Sequence, residues 1–344
     1  MVSIKEIAKK ANVSIGTVDR VIHNRGRVSA RTKEKIERII KELNYVPNVF
    51  ARNLKLDKKF IFGVIVPDPS QDSNYWETPV QGIMKAQVEL KSHKVNVKFF
   101  YYDKYCPESF RKVYHRAMHS GVDGFLIAPV ILKIADELIK KYPPVKPYVF
   151  FDSKIPNIDY LAYIGQDSYQ SGVVSAKLVS LLLTEQGTVA AIRALPEDYH
   201  IEERIRGFQN YFKDNKNINV ITCDLNYQGN KKITFALAQK ILNYNKDLKA
   251  IFISNALTHQ IAEFMSIKRL KMKIHLIGYD LIKENKDYLK KGFIDFLINQ
   301  MPETQGYQGI YSLFRNIVLG EEVEKEIMMP IDIVTKENII YCKN

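Results

Sequence analysis

The sequence predicts an all-α helix-turn-helix headpiece followed by an α/β body of two Rossmann-like lobes. Three observations carry this expectation. Residues 1–59 hold 15 Lys plus Arg against 6 Asp plus Glu, so that +9 of the chain's net +13 sits in its first sixth, and the apolar residues there recur at helical spacing. From Phe60 the texture changes to short apolar runs separated by roughly 10 to 20 residues of helical period, the mark of βαβ units and parallel sheets. These runs fall into two sets of about five, which implies two similar lobes with a cleft between them. The 344 residues are 46% hydrophobic and 26% charged, an ordinary globular balance. No run approaches the ~18 apolar residues of a membrane span. Lys9 and Lys10 lead into Asn12, Ser14 and Gly16 rather than an apolar signal core, so a cytoplasmic protein without membrane contact is expected. Cys106, Cys223 and Cys342 are too scattered for a disulfide framework or a metal site, which fits a reducing compartment.

In the headpiece, Ile4, Ile7, Ala8 and Ala11 form one helical face, with Ser3 as N-cap and Asn12 as a residue able to end the helix in the left-handed conformation. Ser14 caps a second helix, which turns Val18, Val21 and Ile22 inward and Ile15, Gly16, Thr17, Asp19 and Arg20 outward. A third helix starts at Ser29, buries Ile36, Ile39, Ile40 and Leu43, and ends at Asn44 before Pro47. This is helix-turn-helix geometry, in which the second helix enters the major groove of DNA. Clustered positive charge fits the same partner, because it displaces counterions from the phosphate backbone.

The phrases VS..TV.RV, RVS..T, ELNY.PN and AR.L stand here in the order and spacing of the lactose-repressor (LacI) family of bacterial transcription regulators, and the segment resembles that family's headpiece. The resemblance implies that Ile15, Gly16 and Arg20 face the bases. Arg20 either pairs with guanine O6 and N7, worth ~1 to 3 kcal/mol of discrimination, or contacts a phosphate. Ile15 suits a thymine methyl group, and Gly16 has no side chain to read with. Asp19 stands where the family often has serine, so operator preference does not carry over from relatives. Ser14, Thr17, Asn24, Arg25, Arg27, Ser29 and Thr32 are the expected phosphate and sugar contacts. Asn48, Ala51, Asn53 and Leu54 match the family's hinge helix, which lays a leucine wedge in the minor groove. The bland alternative is a short linker helix packed on the body.

The strand candidates of the body are 60–66, 95–102, 124–129, 148–152 and 160–165, then 188–192, 219–223, 250–254, 275–280 and 296–300. Ligands of such sheets sit beyond the carboxyl ends of the strands, so polar residues after each strand are the candidates, and the resemblance to the family matches Asp68, Asp152, Asp167, Arg204, Asn255, Asp280 and Gln300 to such positions. VIVPD, GVDGFLIAP, ERIRGF, IGYD and INQMPETQGYQG extend the resemblance over essentially the whole chain, and imply a body of the periplasmic binding protein-like type I kind. They imply an effector site of Asp68, Tyr75, Trp76, Asp152, Arg204, Asn255, Asp280 and Gln300 around a small polyhydroxylated ligand, with Tyr75 or Trp76 stacked on the sugar. Asp68, Asp152 and Asp280 are otherwise helix caps, Arg204 a salt bridge, and Trp76 core. The loop from Pro69 to Tyr75 is longer than in the family, and Ala256 replaces an acid often found there.

The expected organisation is a headpiece at 1–46, a hinge and linker at 47–59, and an effector and dimerisation domain at 60–344. Lobe 1 is expected at about 60–163 and 298–325, lobe 2 at about 164–297 and 326–344. The chain stops at Asn344 without the leucine heptads of the family's tetramers, so the resemblance implies a homodimer on a near-palindromic double-stranded operator, a sugar or sugar derivative as effector, and no cofactor. The signatures GxGxxG after a strand, GxxxxGK[ST], HExxH and GxSxG are missing, and an enzyme is not expected. A solute-binding protein feeding a transporter, without DNA binding, is the alternative that the headpiece argues against.

Overall fold

The computed structural model describes residues 4–22, 26, 28–43, 58–194, 198–226, 230–270 and 273–342. Ser3, Asn24, Arg25, Arg27, Asn44, Pro47 and the hinge positions Asn48, Ala51, Asn53 and Leu54 lie outside them. The chain divides into two compact units, Met1–Lys58 and Lys59–Asn344.

In the first unit, α1 (Ile4–Ala11), α2 (Ile15–Ile22) and α3 (Ala30–Glu42) enclose a core of Ile7, Ala8, Ala11, Val18, Val21, Ile36 and Ile39. Asn12 ends α1 at φ 54, and the Val13 N–H returns to Ala8 O at 3.0 Å. The asparagine at this position thus adopts the left-handed turn at modest cost. Ser14 Oγ accepts from Thr17 N at 3.1 Å and Ser29 Oγ from Thr32 N at 3.3 Å, so each serine caps the helix that follows it. Lys10 and Glu42 pair at 3.0 Å between α1 and α3.

The second unit is built on two six-stranded sheets. Lobe 1 has the order β11-β5-β4-β3-β1-β2, all parallel, from β1 (Phe60–Pro67), β2 (Val95–Tyr102), β3 (Gly124–Ile127), β4 (Tyr148–Phe151), β5 (Ala162–Gln166) and β11 (Glu326–Met329). Lobe 2 has the order β12-β10-β9-β8-β6-β7, from β6 (Gly187–Ala194), β7 (Ile218–Leu225), β8 (Leu248–Ile253), β9 (His275–Tyr279), β10 (Phe296–Asn299) and β12 (Asp332–Val334). Only β12 runs antiparallel, against β10. The ten strands expected from apolar runs are present. β11 and β12 were not expected, and β11 corrects the lobe boundary: Glu326–Met329 pairs with β5 in lobe 1, so the chain returns to lobe 2 at Pro330 rather than at residue 326.

Helices cover both faces of each sheet: α4 (Glu77–Glu89), α5 (Pro107–Met118), α6 (Leu132–Lys141) and α12 (Pro302–Leu313) on lobe 1, and α7 (Ser168–Leu182), α8 (Tyr199–Phe212), α9 (Lys231–Tyr244), α10 (Thr258–Ile267) and α11 (Lys283–Lys290) on lobe 2. Strand β6 shows why lobe 2 needs two cores. Its Ala190 and Ile192 point into one apolar cluster, and Val189 and Ala191 into the other. Three crossovers join the lobes, and Gln166 ties them, its Nε2 donating to Asn299 O at 3.2 Å and to Pro330 O at 2.7 Å. Among the described residues no helix is long and apolar enough to cross a membrane.

Candidate effector site

The carboxyl ends of both sheets face a cavity between the lobes. From lobe 1 come Asp72, Tyr75 and Trp76 in the loop after β1, Lys104 after β2, and Asp152 after β4. That first loop is strained. Asp72, Ser73 and Asn74 have φ of 53°, 57° and 64°, a region that costs a residue with a Cβ roughly 1 to 2 kcal/mol. The Asp72 carboxylate offsets the strain by accepting from Trp76 Nε1 at 3.1 Å, from Lys104 Nζ and from the Tyr105 hydroxyl. The Asp72 and Lys104 side chains are each 6% exposed, so this ion pair is held dry, and the network fixes the Trp76 ring that walls the cavity. Tyr75 donates to Asp152 Oδ1 at 2.7 Å, and burial together with Asp152 keeps its phenol protonated by pushing the pKa well up.

Lobe 2 supplies Asp198, His200, Ile201 and Arg204 from the start of α8, Asn255 and Ala256 after β8, Asp280 after β9 and Gln300 after β10. Arg204 is 1% exposed; its Nη1 donates to Ser254 O at 2.8 Å, its Nη2 to Gln300 Oε1, and its guanidinium lies 3.9 Å over the Tyr279 ring. Its Nε has no partner. Gln300 Nε2 donates to Asp280 Oδ1 at 2.8 Å. Burial pushes the Asp280 carboxyl up to about 7, against Arg204 and the Gln300 hydrogen bond, which hold it down.

Contacts also cross the cleft directly. Ser153 Oγ of lobe 1 donates to Asp198 Oδ1 of lobe 2 at 3.1 Å, and Ser73 Oγ meets His259 Nε2 at 3.3 Å. The lobes therefore stand closed over a cavity of only about 30 Å³, so a ligand of monosaccharide size enters it only as the lobes part.

Seven of the eight expected effector residues line this cavity: Tyr75, Trp76, Asp152, Arg204, Asn255, Asp280 and Gln300. Asp68 is the exception and is corrected. It is exposed, and its Oδ1 accepts from Ser70 N at 3.0 Å and Ser70 Oγ at 2.6 Å, which makes it a turn cap. Asp167 is likewise a cap, accepting from Gln170 N at 2.8 Å. Asp152 and Asp280 cap no helix; each follows its strand at positive φ, 65° and 71°. Trp76 is core and wall at once, 2% exposed with one side on the cavity. Asp72, Lys104, Asp198 and His200 were missed. Lys104, Asp198 and His200 lie just past β2 and β6, so the strand-end rule applied to every strand would have found them.

On the headpiece, Ile15, Gly16, Asp19 and Arg20 are exposed along α2 and Ile15 is 45% accessible, while Thr17 is half-buried and bonded to Ser14. Ser29 and Thr32 share a hydroxyl contact of 2.7 Å at the start of α3.

A model of the periplasmic binding protein domain matches residues 62–322, and a model of bacterial regulatory proteins of the lacI family matches residues 3–48. The chain is 28% identical over 290 residues to the ribose operon repressor of Halalkalibacterium halodurans, covering 81% of this chain and 80% of that protein. It is 32% identical over 141 residues to catabolite control protein A of Staphylococcus aureus, and this match spans 41% of each chain. A putative LacI transcriptional regulator from Bacteroides fragilis superposes with a TM-score of 0.74 at 27% identity, covering 83% of this chain and all of that one. A solute-binding protein from Burkholderia graminis in complex with D-arabinose gives a TM-score of 0.75 at 21% identity over 83% of this chain and 99% of its own, a likeness of fold alone.

Proposed function

The chain belongs to the periplasmic binding protein domain family and carries a headpiece of the lacI family of bacterial regulatory proteins, and from that premise we propose that it is a DNA-binding transcription regulator, a repressor whose operator affinity a small sugar or related metabolite controls. One observation carries the reading: a single chain joins a helix-turn-helix with Ile15, Gly16 and Arg20 turned outward to a cavity walled by carboxylate, guanidinium, amide and aromatic groups. Free hydrogen-bonding capacity in the cavity suits a polyol. The Asp280 and Asp152 Oδ2 atoms await donors, and Arg204 Nε awaits an acceptor. The relative named as a ribose operon repressor supports the same class of effector. A solute-binding role leaves the headpiece without a purpose, and the solute-binding neighbours at 21% identity speak only to fold.

In this reading two copies bind a near-palindromic operator with half-sites about 34 to 36 Å apart. Arg20 discriminates at one base pair per half-site, while Ser14, Thr17, Ser29 and Thr32 set the register on phosphates. Selection of duplexes from a random pool by the full-length protein tests it. A near-palindromic consensus is expected, and Arg20→Ala should lose ~1 to 3 kcal/mol of preference at one position per half-site. A pool that emerges without any enriched sequence would sink the proposal.

A further inference from the structure

The cavity carries more negative than positive charge. Asp72, Asp152, Asp198 and Asp280 face Lys104 and Arg204, a net of minus two with His200 neutral and zero at most with His200 charged and Asp280 protonated. Lys104 is committed to Asp72. Arg204 and Gln300 serve the Asp280 side. Asp152 and Asp198 are different: they are 5% and 2% exposed, and the groups that donate to their carboxylates are the hydroxyls of Tyr75 and Ser153. Buried carboxylates ordinarily sit against a cation, because leaving them uncompensated is costly.

His200 stands beside both, its Nδ1 2.9 Å from Asp198 Oδ1 and 4.0 Å from Asp152 Oδ2, yet that nitrogen makes no hydrogen bond of acceptable geometry. His200 is only 7% exposed and lines the cavity, and this nitrogen, within ion-pair distance of Asp198, has its hydrogen-bonding capacity unmet. Two carboxylates and an imidazole nitrogen thus converge, and a primary ammonium presents three N–H donors and a positive charge. We propose that Asp152, Asp198 and His200 form an ammonium subsite and that the effector is an amino-bearing monosaccharide. The remaining free groups, Arg204 Nε and the Asn255 side-chain amide, take hydroxyl oxygens of the same ring. Sugar phosphates and sugar acids are rejected, since four carboxyl groups line the cavity against Lys104 and Arg204. Because Asp152 lies on lobe 1 and Asp198 on lobe 2, an ammonium held between them also favours the closed arrangement.

This proposal rests on the sugar-responsive reading above, and the test separates the two. The full-length protein is titrated calorimetrically with matched sets: a hexosamine, its parent hexose, its N-acetyl derivative and the corresponding uronic acid and hexose phosphate. The free amine should bind at least about tenfold more tightly than the parent in one stereochemical series, N-acetylation should remove that advantage, and the two anions should not bind. In Asp198→Asn the amine and its parent should bind alike. Parent hexoses that bind as well as their amines would overturn the ammonium subsite and leave the sugar-responsive reading standing, as would an amine preference that persists in Asp198→Asn. No heat from any member would overturn both. The comparison among ligands uses the unmodified protein, so it decides the question even where the variant fails to fold.

Discussion

Asp280 joins the chemistry of the site to the stability of the fold. Its carboxyl is buried among Gln300, Arg204 and Asp152, and its pKa of about 7 lies above the ordinary 3.8. The folded chain therefore holds this proton more tightly than the unfolded one. The stabilisation is fully present below about pH 4, is lost progressively as pH rises to about 7, and changes no further above that. Asp280→Asn keeps an oxygen to accept from Gln300 Nε2 and has no charge to desolvate. Its melting temperature relative to the parent should therefore climb between about pH 4 and 7 and then level off. A difference that stays flat across that window would show that the carboxyl is not held protonated by burial. Position alone did not reveal this residue's state: the strand-end rule selects Asp280 and Asp68 equally, yet one is buried with a guanidinium nearby and the other is an exposed cap on Ser70. Only the packing around a carboxylate separates the two outcomes.

Helix pairs hold these side chains in place. In lobe 2, α7 crosses α8 so closely that a Cβ on Gly172 would stand 2.0 Å from the backbone oxygen of Arg204. Lobe 1 repeats the device, with Gly82 of α4 facing Glu303 O of α12 at 1.9 Å. The residue whose guanidinium reaches the cavity is thus the residue whose carbonyl seats the helix crossing. Gly172→Ala should lose ~1 to 3 kcal/mol in urea unfolding and also weaken ligand binding, because α8 must retreat and take Arg204 with it. Stability lost with affinity untouched would disconnect the crossing from the site. At this scale the ten apolar strands were legible, since parallel strands buried on both faces read as continuous hydrophobic runs. β11 and β12 were not, because EIMM and DIV acquire strand character only from the edges they close. The loop bearing Asp72 stands out in the sequence by its length, yet three successive left-handed residues without glycine follow from a carboxylate network that no local propensity encodes.

For the whole molecule, the distribution of the +13 charge separates two kinds of binding. Residues 1–59 carry +9 and residues 60–344 carry +4, while the cavity within that second unit is not positive at all. DNA affinity should therefore fall steeply with salt, with a logarithmic slope set by ~6 to 10 phosphate contacts, and effector affinity should not follow it. Removal of residues 1–58, the boundary of the first compact unit, should abolish DNA binding and leave effector binding within about twofold. If the two units are coupled, the factor by which effector changes operator affinity must equal the factor by which operator changes effector affinity, a shared free energy of typically ~1 to 3 kcal/mol. Anisotropy titrations run in both directions on the full chain measure the two factors independently. Equal factors well above one would establish the coupling, and factors of one in both directions would leave a DNA-binding protein with a cleft that controls nothing.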